Sequence, residues 1–537
     1  MLGEEFIKSS QKTETDMRST LLTLFSLLSL LLSSCSNTSH ETSSTLNLPL
    51  AADPPTLDPR RLSDNTSMSV VNICFEGLTR MAPGEVATLA MAESVEISED
   101  QKEYIFTLRE AKWSNGWPVT AFDFEETFKT NLTPNFPSPN AYLMYIIKDA
   151  KKAKEGRLSV DEVGVEALDK RHLKITLRYP TPHFLKLLSS AVFFPYPNRI
   201  AHLIEKEGRV VGNGPYTLQG YRFGHSLSLK KSDTYWDAKS VSIPDIKMHI
   251  IGDCNASVSL YENGELDWVG FPLNNLDSDA TSFLTDHPEF ISHPTAGIYY
   301  YVFNTNEFPF NNAKLRKALS LAIDREAICE HITHEGQTPA YAFSLSDRRQ
   351  LFGSKNIDEA KALFEEALIE LKIRKEDLCI ALTYNKTKKH HRIAHAILER
   401  WNKVFGIKTE LVQKDWKVFL EDVHHKRFSV ARMGEIANFS DPIAFLELFT
   451  SADNVGNYSG WSQPIFKTYL KKALEEINYE NRLRWLNKAE EILINEMPIA
   501  PIYYYSDAYL KKPYLHGVYI SPNGNIEIKN AKIDYDR

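Results

Sequence analysis

Two periodicities alternate along the chain. Tyr104-Ile-Phe-Thr-Leu-Arg109 and His172-Leu-Lys-Ile-Thr-Leu-Arg178 switch between apolar and polar at every residue, which sends successive side chains to opposite faces of a strand. Ala313 to Ile332 places Leu315, Leu319, Ala322 and Ile323 on one helical stripe. Asp358 to Leu371 groups Ala362, Leu363, Ala367 and Leu368, and Arg482 to Ile494 gives a third helix with Pro498 beyond its end. There is no internal repeat and no low-complexity block. The pattern is that of a mixed α/β chain, a class that says nothing about function by itself.

One segment obeys neither period. Leu21 to Leu32 reads LLTLFSLLSLLL, twelve almost wholly apolar residues. It is too short to cross about 30 Å of hydrocarbon but fits the apolar part of an export signal. Arg18 supplies the positive flank and Leu32-Ser33-Ser34-Cys35 closes the segment, as in a bacterial lipobox whose Cys becomes the lipidated first residue. Residues 1–34 are therefore expected to be a signal peptide, with translation able to begin at Met17. Residues 35–45 are expected to be a lipidated, Ser/Thr-rich tether. A buried apolar helix and a non-lipidated signal are the competing readings.

The 537 residues, at about 150 per domain, suggest roughly three to four folded units. Hydrophobic residues make up 43% and charged residues 25%, which excludes a disordered or fibrous chain. A net charge of −8 leaves no global basic field to draw the protein onto nucleic acid. A mean hydropathy of −0.33 excludes a polytopic membrane protein. Besides Cys35, the cysteines Cys74, Cys254, Cys329 and Cys379 are scattered without a C-x-x-C. They are expected to be buried free thiols.

The search for catalytic chemistry returns little. No G-x-G-x-x-G or Walker A loop cradles a phosphate. Gly224-His-Ser-Leu-Ser228 lacks the final Gly of a nucleophile elbow and reads as alternating strand. His334-Glu335 lacks the second His of H-E-x-x-H. His391, His395 and Glu399 share one helix face with metal-ligand spacing, yet Ile393, Ile397, Trp401 and Val404 mark the buried side and turn that trio outward. No catalytic residue, metal or cofactor is assigned. His390 falls nearer the buried side.

Ala111-Lys-Trp-Ser-Asn-Gly-Trp-Pro-Val-Thr-Ala-Phe-Asp-Phe124 resembles the signature of the family 5 extracellular solute-binding proteins, the peptide- and nickel-binding components of ABC importers. Other segments follow in the family's order. Leu57-Asp-Pro59 and Phe75-Glu-Gly-Leu78 precede it, and Gly212-Asn-Gly-Pro-Tyr-Thr-Leu218, Tyr235-Trp-Asp237 and Gly264-Glu-Leu-Asp267 come after. Phe303-Asn-Thr305, Arg316-Lys-Ala-Leu319 and Ala322-Ile-Asp-Arg325 complete the series, so the resemblance runs from about residue 46 to 530. Much of the signature builds scaffold: Asn115-Gly116 and Pro118 shape a turn, and Thr120 caps a helix entered at Ala121, with Asp123 in its first turn.

Gln337-Thr-Pro-Ala-Tyr341, Lys414-Asp-Trp-Lys-Val-Phe-Leu420, Val430-Ala-Arg-Met-Gly434 and Ile502-Tyr-Tyr-Tyr505 are similar to the oligopeptide-binding members of Gram-negative bacteria. The resemblance implies an α/β, two-lobed periplasmic-binding-protein fold of type II, with three domains, a hinge and a central ligand cleft. A discontinuous first lobe would take residues 46–75, 189–294 and 500–537, an additional domain 76–188, and the other lobe 295–499. A short peptide would be enclosed as the lobes close and be delivered to a membrane permease and its ATPases. The protein would be a monomer held at the membrane by its lipid.

By the same resemblance Arg432 lies near the ligand's carboxylate end and His390 near the carboxylate of longer peptides. Trp416, Leu420 and Tyr505 line pockets, and Gly434 and Glu435 are counted among the ligand-binding residues. Plain core for Trp416 and a structural ion pair for Arg432 are the competing readings. The family Asp that pairs with the peptide's α-ammonium is Asn438 here, so an attraction worth ~1.5–3 kcal/mol is weakened. Glu435 replaces a family Trp and either supplies a substitute carboxylate or is a solvated surface Glu. Asp441 reads as a helix cap before Pro442. Family basic residues correspond to Thr333 and Val423, and a family disulfide to Gly297 and Ile436. The expectation is a peptide binder with altered terminal recognition. Cell-wall peptides, a metal chelate or haem are alternative cargoes, and a secreted metal-dependent hydrolase or a surface chaperone are alternative classes.

Overall fold

The computed structural model describes residues 45–198, 210–276, 278–334, 336–345, 350–353, 356–437, 439, 441–521 and 524–535. The expected export signal, Cys35 and the expected tether up to residue 44 lie outside the described residues, as does Asn438, while Thr45, placed in that tether, begins a strand.

Three sheets organise the chain. Thr45–Leu50 heads a four-stranded sheet followed by Asp245–Ile250, Ser226–Lys231 and Tyr216–Arg222. The segment around Ser228 is thus strand, as its alternation predicts. A second four-stranded sheet is antiparallel throughout, in the order Ala92–Ile97, Glu103–Leu108, His172–Thr176, Val165–Ala167. Glu103–Leu108 buries Tyr104, Phe106 and Leu108 at every second position. Thr120 and Asp123 form a reciprocal capping box at the start of the helix Ala121–Leu132, as the signature predicts.

The largest sheet runs Trp268–Gly270, Ile499–Lys511, Phe290–Phe303, Val430–Ile436, Cys379–Asn385, Lys408–Lys414, with Thr338–Pro339 also paired to Ile499–Lys511. We call Phe290–Phe303 and Ile499–Lys511 the first and second long strands, and Val430–Ile436 the site strand. The long strands pair antiparallel with an irregularity: Pro294 faces Ser506 and Ile298 faces Tyr504. Thr295, Ala296 and Gly297 therefore stand opposite Tyr505 alone, a bulge at the middle of both strands.

One large apolar core gathers Ile298 to Phe303, Trp401, Phe419, Phe445, Leu493 and Tyr503. The other draws on residues from Leu46 to Leu273 and returns for Leu515 to Ala531. Phe439 packs against both.

Several expectations are corrected. The stripe from Ala313 to Ile332 is broken into Ala313–Leu321, Arg325–Ile328 and a wide turn Cys329–Thr333, because Asp324 caps a new helix by accepting from the Ala327 N–H. The helix Ile357–Leu371 buries Ala360, Phe364, Ala367 and Leu368, leaving Ala362 exposed. All four described cysteines are free, but only Cys74 is buried, and Cys379 is exposed.

Arg325, in the Ala322-Ile-Asp-Arg325 motif, is fully buried and tied to backbone. Its Nε donates to the Pro501 carbonyl at 2.7 Å, and its Nη atoms donate to the Ser320 carbonyl at 3.0 Å and the Ser320 hydroxyl at 2.9 Å. It fastens a helix start to the second long strand. Arg325→Met is expected to strip these buried acceptors of donors and cost about 3 kcal/mol. Calorimetric unfolding checks this, and a shift below about 1 kcal/mol would show that the acceptors find other partners.

Candidate functional site

The site strand has two edges in different states. Along Val430–Ile436 it pairs with the first long strand residue by residue, from Phe303↔Val430 to Gly297↔Ile436. On its other edge Cys379–Asn385 pairs only at Leu382↔Val430 and Thr383↔Ala431. Beyond Ala431 that second edge has no strand partner among the described residues. The main-chain N–H and C=O groups of alternate residues between Arg432 and Ile436 therefore point away from the first long strand toward that open edge, and such an edge can accept another extended chain.

Residues directly opposite each other in an antiparallel pair share a face. Tyr301 with Arg432, Tyr299 with Gly434, and Gly297 with Ile436 lie on one face; Tyr300 with Met433 and Ile298 with Glu435 lie on the other. On the first face the Arg432 guanidinium sits 4.9 Å from the Tyr299 ring centre. Tyr299 stacks on Tyr503 at 4.8 Å and meets Tyr505 edge-on at 6.5 Å. The Arg432 Nε is buried without a hydrogen-bond partner, and no carboxylate lies within ion-pair distance of Arg432 among the described residues.

His390 is the third residue of the helix Lys388–Phe405, whose cap Thr387 accepts from the His390 N–H at 3.0 Å. That phase turns the imidazole inward with Ile393, Ile397 and Trp401, and its Nδ1 lies 3.3 Å from the Tyr299 hydroxyl. Burial, helped by the Arg432 charge, pushes its protonation down to about 3. The neutral, hydrogen-bonding form of His390 is therefore favoured at pH 7.

Glycine has a steric reason here. A Cβ on Gly434 would lie 2.2 Å from the Tyr505 hydroxyl, and one on Gly297 would lie 2.6 Å from the Tyr505 ring. The two glycines make the bed on which Tyr505 lies. Gly297 and Ile436, the positions of the missing disulfide, are direct cross-strand neighbours, so its loss removes a matched pair.

Arg432, His390, Gly434 and Tyr505 thus come together. Trp416 and Leu420 belong to another element, the helix Trp416–His424. Trp416 is 52% exposed and stacks on Phe419 of its own helix, so it is not core, and Leu420 is half-buried. Thr333 and Val423 are buried, the Thr333 hydroxyl bonding the Cys329 carbonyl. His391 accompanies Tyr384 at 2.7 Å and His395 stands 3.6 Å from Glu399 on an exposed face. Among the described residues no cluster of three metal-binding side chains forms.

Glu435 is half-buried on the opposite face of the site strand from Arg432, so it is not a solvated surface group. Burial first, and then the Glu447 charge, push its carboxyl up to about 7. The Glu447 carboxyl is also pushed up, first by loss of solvation and then by Asp441, although the residue keeps an exposed surface. Asp441 accepts from the Ile443 N–H at 3.0 Å, as a cap would, but its main bond is a two-pronged pair with the buried Arg482 at 2.8 and 2.9 Å.

Sequence reasoning missed Tyr299, Tyr503, Glu447 and Arg482. The runs Tyr299-Tyr-Tyr301 and Tyr503-Tyr-Tyr505 signal aromatic strands, but three tyrosines in a row carry no alternation to say which face each takes.

Comparison with known proteins places the chain. Residues 87–457 match the model of the bacterial extracellular solute-binding proteins, family 5. The oligopeptide-binding protein OppA of Bacillus subtilis is 36% identical over 539 residues, covering 96% of this chain and 99% of that protein. The periplasmic oligopeptide-binding protein OppA of Escherichia coli is 32% identical, covering 86% and 87%. Among solved structures, the unliganded open form of the murein tripeptide-binding protein MppA aligns with a TM-score of 0.78 at 28% identity, covering 91% of this chain and 97% of that one. Peptide-bound OppA of Listeria monocytogenes aligns with a TM-score of 0.70 at 26% identity, covering 91% and 99%. The chain belongs to the family 5 extracellular solute-binding proteins and has their two-lobed α/β fold.

The Glu435 carboxyl titrates upward, so the folded state favours its protonated form. The associated stability is full below about pH 4.5 and is lost as pH rises through about 7. Glu435→Gln is expected to leave the ligand-free protein unchanged at pH 4 and to stabilise it by about 1–3 kcal/mol at pH 8. Thermal melts at the two pH values check this; equal shifts at both would mean that Glu435 carries no buried charge.

Proposed function

We propose that this chain is the solute-binding component of a peptide ABC importer, anchored through lipid on Cys35 outside the cytoplasmic membrane, and that it captures short peptides and hands them to a permease and its ATPases. The observation that carries this reading is the open edge of Arg432–Ile436 beside a buried, unpartnered Arg432 Nε. An edge binds main chain whatever the side chains are, and a guanidinium offers paired donors to a carboxylate. Relatives named as oligopeptide- and dipeptide-binding proteins support it. No covalent chemistry is part of this reading, and the protein acts as a monomer.

In this reading Arg432 receives the peptide's carboxylate end, with His390 as a neutral hydrogen-bonding neighbour. Gly434 and Tyr505 form the floor, while Trp416 and Leu420 border side-chain pockets. Residues 46–75, 189–294 and 500–537 form the discontinuous lobe, residues 76–188 the additional domain, and residues 295–499 the other lobe. The two large separate cores support the split of residues 295–499 from the rest, while residues 76–188 share one core with the discontinuous lobe. Asn438 supplies no charge for the α-ammonium, and Glu435 with Glu447 takes over that role. A cell-wall peptide with an extra ammonium is the favoured special cargo, supported by the likeness to a murein tripeptide binder.

Mass spectrometry of ligand co-purifying with the full chain tests the cargo. Peptides are expected, enriched in a restricted length or in extra cationic groups. A broad mixture of ordinary free-amine di- to pentapeptides would refute altered terminal recognition, and a non-peptide solute would refute the reading itself.

An ammonium docked at Glu435 favours its ionised form and so must drive off a proton near pH 7. Isothermal titration of tri-lysine at pH 7 in buffers of different ionisation enthalpy is expected to report release of part of a proton. Glu435→Gln is expected to reduce that release. If native protein binds with no proton exchange, Glu435 does not receive the ammonium.

A further inference from the structure

His183 comes from the N-terminal half of the chain, at the start of the short helix Phe184–Leu187, yet it packs on the segment that follows the site strand. Its ring lies flat on Phe439, with centroids 4.5 Å apart and planes within 2°. It is 7% exposed, and its Nδ1 is buried without a hydrogen-bond partner, 3.7 Å from the Asp441 carboxylate. Phe439 in turn packs against both large cores. Asp441 is pinned by Arg482 of the helix Tyr479–Glu496, where Arg482 is 1% exposed. Burial opposes the Asp441 charge, but His183 and Arg482 together hold its carboxyl below the usual range.

The contact is unusual in what it leaves unsatisfied. A buried ring nitrogen facing a carboxylate at 3.7 Å is beyond hydrogen-bond reach and acts on Asp441 only through its field. What the imidazole does provide is a flat surface matched to Phe439. Phe439 stands three residues after Ile436, the end of the open edge, and Glu435 joins Glu447 and Asp441 in one electrostatic chain. Anything that fixes Phe439 and Asp441 therefore fixes the end of the edge where the ligand's ammonium is read.

We propose that His183 is a positioning residue for ligand capture: by stacking on Phe439 across the junction of the two cores it holds the segment after the site strand in register, so that the open edge and Glu435 are presented together. It acts through Phe439 and touches no ligand. A flat aromatic ring is required at residue 183, and a titrating group is not.

The test has a ligand-free arm and a ligand arm. In the ligand-free full chain, hydrogen exchange of the peptide spanning residues 431–446 is expected to rise at least tenfold in His183→Ala, with the melting temperature shifted by less than about 2 °C. His183→Phe, which keeps a flat ring, is expected to restore native exchange. With tri-alanine as probe, His183→Ala is expected to weaken binding about tenfold through faster dissociation, and His183→Phe to stay within threefold of native. Unchanged exchange in His183→Ala, or no rescue by His183→Phe, would overturn the proposal. A merely structural residue would lower the melting temperature in step with affinity and not be rescued, which also overturns it. The affinity arm rests on the peptide reading; if native protein ignores tri-alanine, that reading is what fails, and the exchange arm still decides the role of His183.

Discussion

The pairing of the two long strands is the constraint from which the rest of the site follows. Between Pro294↔Ser506 and Ile298↔Tyr504 three residues oppose one, and a bulge of that kind bends and re-aims a strand. The extra residues end in Gly297, and the residue they oppose is Tyr505. Thr295 bonds the Asp507 carboxylate at 2.5 Å, and Ser292 bonds Ser506 at 2.7 Å, so the irregularity is held from both sides. With its neighbours displaced, Tyr505 lies over Gly297 and Gly434, where any Cβ would collide with it. The pairing of the first long strand with the site strand stays in unbroken register from Gly297↔Ile436 to Phe303↔Val430, so the bulge displaces the second long strand, and Tyr505 with it, against a fixed site strand.

Electrostatics at the site follow from burial more than from sequence charge. Counting side chains suggests two cations, Arg432 and His390, at the carboxylate end. Packing His390 between Tyr299 and Arg432 makes a second positive charge there too costly, so one cation remains with a neutral neighbour. At the other end the chain has Asn438 and no carboxylate at that position, while burial and the Glu447 charge raise the proton affinity of Glu435, and Asp441 adds to that of Glu447.

Much of the architecture was legible because its signals are local. Period-two strands at Glu103–Leu108 and His172–Thr176, the capping box at Thr120, and the outward face of His391 and His395 all follow from neighbours within a turn or a strand. The broken helix after Leu321 was not, because a continuous stripe outweighed one Asp324, whose capping role depends on where Arg325 is buried. The exposure of Cys254, Cys329 and Cys379 was not legible either, since a small apolar side chain gives no local sign of depth. At the site, Arg432, His390, Gly434 and Tyr505 were found through family resemblance. Their partners Tyr299 and Tyr503 lie 133 residues before and 71 residues after Arg432 and meet it only through sheet register.

The faces of the site strand bear on what any ligand must look like. Arg432 and Glu435 are three residues apart, about 10 Å along the strand, and an odd separation puts them on opposite faces. A peptide laid along the edge keeps its main chain in the plane of the sheet, between those faces. Its carboxylate must therefore turn toward the Tyr299 face while its cationic group turns toward the Ile298 face. An extended chain has that same two-residue alternation, so groups an odd number of positions apart make both turns without distorting the main chain. Groups an even number apart would emerge on one face and meet only one of the two charges. On the proposed assignment of Arg432 and Glu435 to the ligand's two charges, the edge would discriminate by the parity and spacing of charged groups, a criterion set by sheet geometry and indifferent to the side chains in between.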